Sequence, residues 1–310
     1  MGRQVKVAVV PHDIDPVRDA IVQGGGVAAD AGDADALVWT DPSDPESLRS
    51  ILSSSPARWV QLPFAGIERF FDAGVIDPAL IWTCAKGIYG PACAEQAVAL
   101  VLAGARQLQR HARRSGWWSN RDGAILHRRL RGTTALVVGT GGIGRAFAPM
   151  IAPFGVRIIA VNRSGEPMRG ADMTVPAGQL TDVIGEADNI VIAAALTPDT
   201  YRMIDARMLS LMRPDAWLVN VARGGLVDTD ALVEALHEEK IGGAALDVTD
   251  PEPVPDDHPL WSLPNAIITS HTANTWAMAI PELCDLVGRN VQHFAAGERL
   301  EGLVDPALGY

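Results

Sequence analysis

Three polar residues stand at the ends of apolar runs in the last third of the chain. Arg223 lies in Val219-Asn220-Val221-Ala222-Arg223-Gly224-Gly225, Glu252 in Asp250-Pro251-Glu252-Pro253, and His271 in Ser270-His271-Thr272-Ala273. A guanidinium presents a planar fork that matches a carboxylate and polarises a neighbouring carbonyl oxygen. An imidazole takes up and releases a proton near neutral pH, and a carboxylate beside it favours its charged form. Such a set suits binding a small keto acid and protonating it. Each residue also has an ordinary reading: a surface or capping arginine, a loop histidine, and a rigid Pro-Glu-Pro turn.

What separates these readings lies upstream. Ala135-Leu136-Val137-Val138-Gly139-Thr140-Gly141-Gly142-Ile143-Gly144 is an apolar strand running through GxGxxG into a helix. Gly139 permits the tight turn, Gly141 lets backbone approach a pyrophosphate, and Gly144 lets helix pack on strand. The amides of Gly142 and Ile143 open the helix, where phosphate oxygens find unpaired donors. The next strand ends in Asn162-Arg163-Ser164, with no acidic side chain before Glu166. An acidic residue there would bond a ribose 2′-hydroxyl, whereas Asn162, Arg163 and Ser164 can all donate to a 2′-phosphate. The pattern points to NADP as the preferred cofactor. NAD is the alternative if Arg163 only stacks on the adenine.

Positioning these residues requires parallel sheets. Strands are expected at residues 5–10, 36–39 and 59–62, with helices at 15–22 and 46–52 between them. A second alternation has strands at 133–138, 156–161, 190–194, 217–221, 243–247 and 266–269, with a helix at 143–154 that Pro149 should bend. A long helix is expected over 95–111, bridging two domains, and a closing helix over 281–297. The fold class is α/β: two doubly wound parallel-sheet domains, the second a Rossmann dinucleotide-binding domain. The expected boundaries are 1–92 with 281–310 for a flavodoxin-like substrate-binding domain, and 93–280 for the nucleotide domain. In such sheets the ligand crevice lies beyond the carboxyl ends of the strands, where Arg223, Glu252 and His271 all fall.

Bulk properties narrow the class. The 310 residues are 48% apolar, enough for two cores, with 26 basic against 37 acidic side chains and a formal charge of −11. That balance argues against nucleic acid or an anionic membrane surface as partner. The one basic cluster, Arg113, Arg114, Arg121, Arg128, Arg129 and Arg131, is interrupted by Trp117 and Trp118 and reads as a surface segment near a domain joint. Cys84, Cys93 and Cys284 show no metal-ligand spacing and read as reduced thiols of a cytoplasmic protein. The most apolar stretch, 92–105, is broken by Glu95 and Gln96 and reads as a buried helix rather than a membrane span.

Taken together, these motifs resemble the D-isomer-specific 2-hydroxyacid dehydrogenases over nearly the whole chain. The resemblance implies that Arg223 anchors the substrate carboxylate and keto oxygen, that His271 is the general acid/base, and that Glu252 supports it. It places Val221, Ala222, Leu196 and Thr197 along the cofactor and matches Asp247, in Ala245-Leu246-Asp247-Val248, to an aspartate near the nicotinamide carboxamide. It gives the backbone of Ala65 and Gly66, in Phe64-Ala65-Gly66, the substrate carboxylate, and it implies a homodimer. Asn162-Arg163-Ser164 and the C-terminal Val304-Asp305-Pro306-Ala307-Leu308-Gly309-Tyr310 resemble the glyoxylate/hydroxypyruvate reductase subgroup. Ser270 stands where a proline is usual, and Trp276 where smaller residues are common, so the pocket shape is open. The alternatives are family members acting on phosphoglycerate-like or formate-like acids, and a non-catalytic dinucleotide sensor. Glu252 argues against the formate type, whose members favour glutamine there. A short-chain dehydrogenase is excluded, because no tyrosine is followed by lysine at the Tyr-x-x-x-Lys spacing.

Overall fold

The computed structural model describes residues 4–113, 115–116 and 127–306. Its contacts divide the chain into two compact units, Met1–Tyr89 with Thr275–Tyr310, and Gly90–Asn274. Arg114, Arg121, Trp117, Trp118 and the last four residues lie outside the described residues.

In the first unit, strands β1 (Lys6–Val10), β2 (Val27–Ala28), β3 (Ala36–Trp39), β4 (Trp59–Gln61) and β5 (Ile81–Thr83) form a parallel sheet in the order β2-β1-β3-β4-β5. That is the flavodoxin-like order. Two of the strands, β2 and β5, were not expected: each is too short to show a pattern of its own. Helices α1 (Asp15–Gln23), α2 (Pro45–Leu52) and α3 (Glu68–Asp72) lie between the strands. Asp44 caps α2 by accepting from the Ser47 amide at 2.9 Å, satisfying one of the unpaired donors of its first turn. The closing helix, Trp276–Ala296, packs on α1. It begins more than a turn before the expected proline start and carries Pro281 inside it, at the loss of one backbone bond. Trp39 and Trp82 are core residues of this unit.

The second unit opens with α4 (Gly90–Ala105), which ends where Gln107 turns left-handed at φ 53°, and the short α5 (Leu108–Ala112) follows. The single bridging helix expected over 95–111 is therefore two helices, and α4 packs on the second unit's own α6 (Gly142–Ile151). Strands β6 (Thr134–Val138), β7 (Arg157–Asn162), β8 (Met173–Pro176), β9 (Asn189–Ile192), β10 (Trp217–Asn220), β11 (Gly243–Leu246) and β12 (Ala266–Ile268) make a parallel sheet in the order β12-β11-β10-β9-β6-β7-β8. Alternate residues feed opposite cores. Leu136, Val138, Ile190, Ile192 and Leu218 face one, and Ala135, Val137, Val191, Trp217 and Val219 the other. Burial on both faces explains why these strands read as unbroken apolar runs. The order reverses between β6 and β9, which places the topological switch point at the end of the GxGxxG strand.

Among the described residues no helix is long and apolar enough to cross a membrane. Of the basic cluster, Arg113 donates to the Leu263 carbonyl at 2.9 Å and Arg128 to that of Asp215 at 3.0 Å.

Candidate active site

Arg223, Glu252 and His271 lie in loops beyond the carboxyl ends of strands of the second unit, as does the turn of the fingerprint. At the switch point the chain turns at Gly139, whose φ of 108° is left-handed. Its amide donates to the Val161 carbonyl at 2.8 Å, and a Cβ there would lie 2.5 Å from the Ala193 carbonyl. A Cβ on Gly144 would overlap the Gly139 carbonyl oxygen, so the start of α6 sits directly on the turn. Around Gly141, by contrast, there is open space. The turn is thus tight beneath and open above, and the amides of Gly142 and Ile143 begin the helix there. These residues fit a dinucleotide pyrophosphate.

After β7, Asn162 uses its side chain to shape the next turn. Its Nδ2 donates to the Glu166 carbonyl at 2.7 Å, and its Oδ1 accepts from the amides of Ser164 and Gly165 at 3.2 and 2.6 Å. Arg163, Ser164 and Glu166 are exposed in that turn. After β9, the Thr197 amide donates to Thr200 Oγ1 at 2.8 Å, and the Leu196 side chain lies beside Gly225.

Arg223 follows β10 on a loop braced by buried Asn220. The Asn220 Oδ1 accepts from the Ala222 amide at 3.0 Å and its Nδ2 donates to the Arg223 carbonyl at 2.8 Å. Arg223 itself donates through Nη1 to the Ala222 carbonyl at 2.8 Å. A Cβ on Gly224 would overlap the Thr249 carbonyl, so the loops after β10 and β11 are in close contact. His271 is 2.6 Å from Glu252, Nδ1 to Oε1, and both side chains are about half exposed. His271 holds φ at 53°, a conformation that costs a non-glycine residue about 1–3 kcal/mol and persists only where its surroundings enforce it.

Asp247, at the end of β11, supplies that enforcement. Its carbonyl accepts from the His271 amide at 2.8 Å. Its carboxylate is almost completely buried, with Oδ1 accepting from the Thr269 hydroxyl and the Thr272 amide and Oδ2 from the Ala273 amide, the two amides each at 3.0 Å. Burial pushes the nearby Cys93 thiol of α4 up to about 11, with the Asp247 charge adding to this and the Arg223 charge opposing it.

The family described as "D-isomer specific 2-hydroxyacid dehydrogenase, NAD binding domain" matches residues 98–273, more than half the chain. This chain belongs to the D-isomer specific 2-hydroxyacid dehydrogenases. It is 39% identical to the "Uncharacterized protein in proB 3'region" of Corynebacterium melassecola, over 99% of this chain and 100% of that one. It is 38% identical to a glyoxylate reductase of Thermococcus gammatolerans, over 67% of this chain and 64% of that protein. Its fold is similar to that of an NADPH-dependent glyoxylate/hydroxypyruvate reductase of Sinorhizobium meliloti in complex with NADP and sulfate, with a TM-score of 0.82, 24% identity and coverage of 99% and 100% of the two chains.

As a member of this family of oxidoreductases, the protein has its nucleotide fingerprint and its Arg223, Glu252 and His271 in one compact unit. Val221 and Ala222, which lead from β10 to Arg223, are buried. Ala65 and Gly66 belong to the first unit, in the half-buried turn after β4. There the Phe64 ring is 5.7 Å from both Tyr89 and Trp276, and the Tyr89 hydroxyl donates to the Pro63 carbonyl at 3.0 Å. The sequence reading did not assign Asn220, Thr269 or Thr272 to the site, and it took Gln96 only as a break in an apolar stretch. Its side chain in fact donates to Thr269 at 3.1 Å. A polar side chain beside exposed Glu95, on the half-buried side of an otherwise apolar helix, was the available signal.

Proposed function

We propose that this dehydrogenase reduces a small 2-keto acid of the glyoxylate or hydroxypyruvate type to the D-2-hydroxy acid, with NADP(H) preferred over NAD(H). The observation that carries the reading is the 2.6 Å His271–Glu252 pair beside the Arg223 loop, held by a buried aspartate. Gly139, Gly141, Gly142, Ile143 and Gly144 would hold the pyrophosphate, and Arg163 and Ser164 the 2′-phosphate, since a guanidinium fork suits phosphate. The bound nicotinamide supplies hydride chemistry at the substrate C2.

The protein's own residues do the rest. Arg223 binds the carboxylate and draws electron density toward the keto oxygen. On the resemblance, the Ala65 and Gly66 amides contribute to carboxylate binding. Glu252 accepts from His271 Nδ1–H, which orients the ring and directs Nε2–H toward the oxygen that gains charge. In the reverse direction the same nitrogen takes the hydroxyl proton. We also propose a homodimer, on the resemblance, and a cytoplasmic location, which suits the free thiols of Cys84, Cys93 and Cys284.

The test is a turnover panel of glyoxylate, hydroxypyruvate and longer 2-keto acids with NADPH and NADH, for the wild type and His271→Gln. The expected result is turnover of the small acids with a lower KM for NADPH, and a loss of about 10²–10⁴-fold in kcat for the variant with cofactor binding kept. Cofactor binding without turnover of any acid would favour a dinucleotide sensor. A lower KM for NADH would overturn the cofactor preference.

A further inference from the structure

We infer that Gln96 is a positioning residue for His271, acting through Thr269 and Asp247. The inference rests on the reading of His271 as the proton donor. Gln96 lies on α4 between buried Ala94 and Ala97, and its Nε2 is 3.1 Å from Thr269 Oγ1, across 173 positions of sequence. Thr269 has one hydroxyl hydrogen, and that hydrogen goes to Asp247 Oδ1. Its remaining capacity is to accept, so the Gln96 amide must present its NH2 group. The direction of the chain is thereby fixed: Gln96 N–H to Thr269 O–H to the Asp247 carboxylate.

That carboxylate grips the two residues after His271 through the Thr272 and Ala273 amides, and the Asp247 carbonyl grips the His271 amide itself. The histidine therefore keeps its left-handed backbone because its neighbours on both sides are tied to one aspartate. Gln96 locks the rotor of the hydroxyl that completes the set. Without it, Thr269 can swing away from Oδ1, the loop loosens, and the imidazole loses its alignment on Glu252. Among the described residues no hydrogen bond joins Gln96 to the imidazole or to Glu252, so its effect appears in the alignment of the proton donor and not in binding. Misplacing a reacting group by a fraction of an ångström to an ångström is enough to slow a reaction markedly.

The experiment uses the full chain with Gln96→Leu, Gln96→His, Thr269→Val and Thr269→Ser. It measures kcat, both KM values, the pH profile of reduction, and the proton NMR signal of His271 Nδ1–H in the unliganded protein. The expected result for Gln96→Leu and Thr269→Val is a fall in kcat of about 10-fold, KM values within about 2-fold, an altered pH profile, and a broadened Nδ1–H signal. Gln96→His, whose ring N–H can donate to the hydroxyl, and Thr269→Ser should recover most of both readouts. The double variant Gln96→Leu/Thr269→Val should lose no more than either single one, because both break one chain. Wild-type kcat and an unchanged NMR signal in Gln96→Leu would overturn the inference, as would a loss that neither conservative variant recovers. Absence of turnover in the wild type would instead refute the proposed function, and the NMR comparison would still decide the role of Gln96.

Discussion

Asp247→Asn isolates what holds the His271 loop. The carboxylate receives three close hydrogens, from Thr269 Oγ1, the Thr272 amide and the Ala273 amide, and a longer one from the Thr272 hydroxyl at 3.5 Å. An asparagine has one acceptor oxygen, so whichever way the amide turns, its NH2 faces a backbone N–H. If the NH2 replaces Oδ2, the Ala273 amide is left buried without a partner, at about 1–3 kcal/mol. The two bonds that survive change from a charged to a neutral acceptor and lose roughly 1 kcal/mol each. The sum, about 3–5 kcal/mol, weakens the hold on the loop, while the roughly 1–3 kcal/mol that His271 regains by leaving its left-handed conformation is unchanged and favours the same relaxed state. The loop should therefore let go. Taking the lower end, about 3 kcal/mol, the ratio of ordered to relaxed loop falls by about 150-fold. The melting temperature of a unit of this size drops by about 6–12 °C. The assay pairs thermal unfolding of the unliganded protein with kcat for the best keto acid of the panel. A variant that melts within about 1 °C of wild type and keeps its kcat would show that the carboxylate does not hold the loop.

Gly144→Ala puts a methyl group into the Gly139 carbonyl oxygen, so the turn and the start of α6 must separate. Losing one charge-assisted bond to a phosphate, about 1.5–3 kcal/mol, weakens cofactor binding by about 10- to 150-fold in a fluorescence titration; an unchanged Kd would refute the cradle. Cys93 gives a pH prediction. Its thiol, pushed by burial from the ordinary 9.0 to about 11, stays neutral in the fold while the unfolded chain ionises first. Stability is then full below pH 9.0 and declines as pH rises toward about 11, by about 2–3 kcal/mol. Cys93→Ala should remove that part of the decline, measured as the difference between wild-type and variant urea midpoints at pH 8 and pH 11; parallel curves would exclude it.

What could be read in the sequence is what is encoded locally. The GxGxxG turn depends on backbone space at Gly139 and Gly144, and only glycine provides it. Arg223, Glu252 and His271 are each marked by a strand's end, and parallel strands buried on both faces are long apolar runs with abrupt polar ends. The hidden parts have no local signature. Strands β2 and β5 exist because β1 and β4 offer them ladders, not because residues 27–28 or 81–83 show a pattern. The helix expected from 95 to 111 breaks at Gln107, a residue with no special preference for the left-handed conformation it adopts. Asn162 looked like a donor to the cofactor from its position, yet its amide closes its own turn, a competition that asparagine's short side chain always allows.

The same distinction explains why the His271–Glu252 pair was legible while its support was not. His271 and Glu252 announce themselves by residue type, and the geometry needs only to bring 19 positions of chain together. A histidine in a left-handed backbone is not self-supporting, and the groups that hold it are a threonine, an aspartate and a glutamine whose types are common everywhere. Their meaning comes from where their hydrogens go: the Thr269 and Thr272 hydroxyls and the Thr272 and Ala273 amides all turn toward the two oxygens of one carboxylate. The Gln96 amide completes the set from a helix 173 positions away. If His271 is the proton donor, as proposed, its alignment depends on contacts distributed across the second unit, and substitutions on α4 that touch no reacting atom should alter the rate without altering binding.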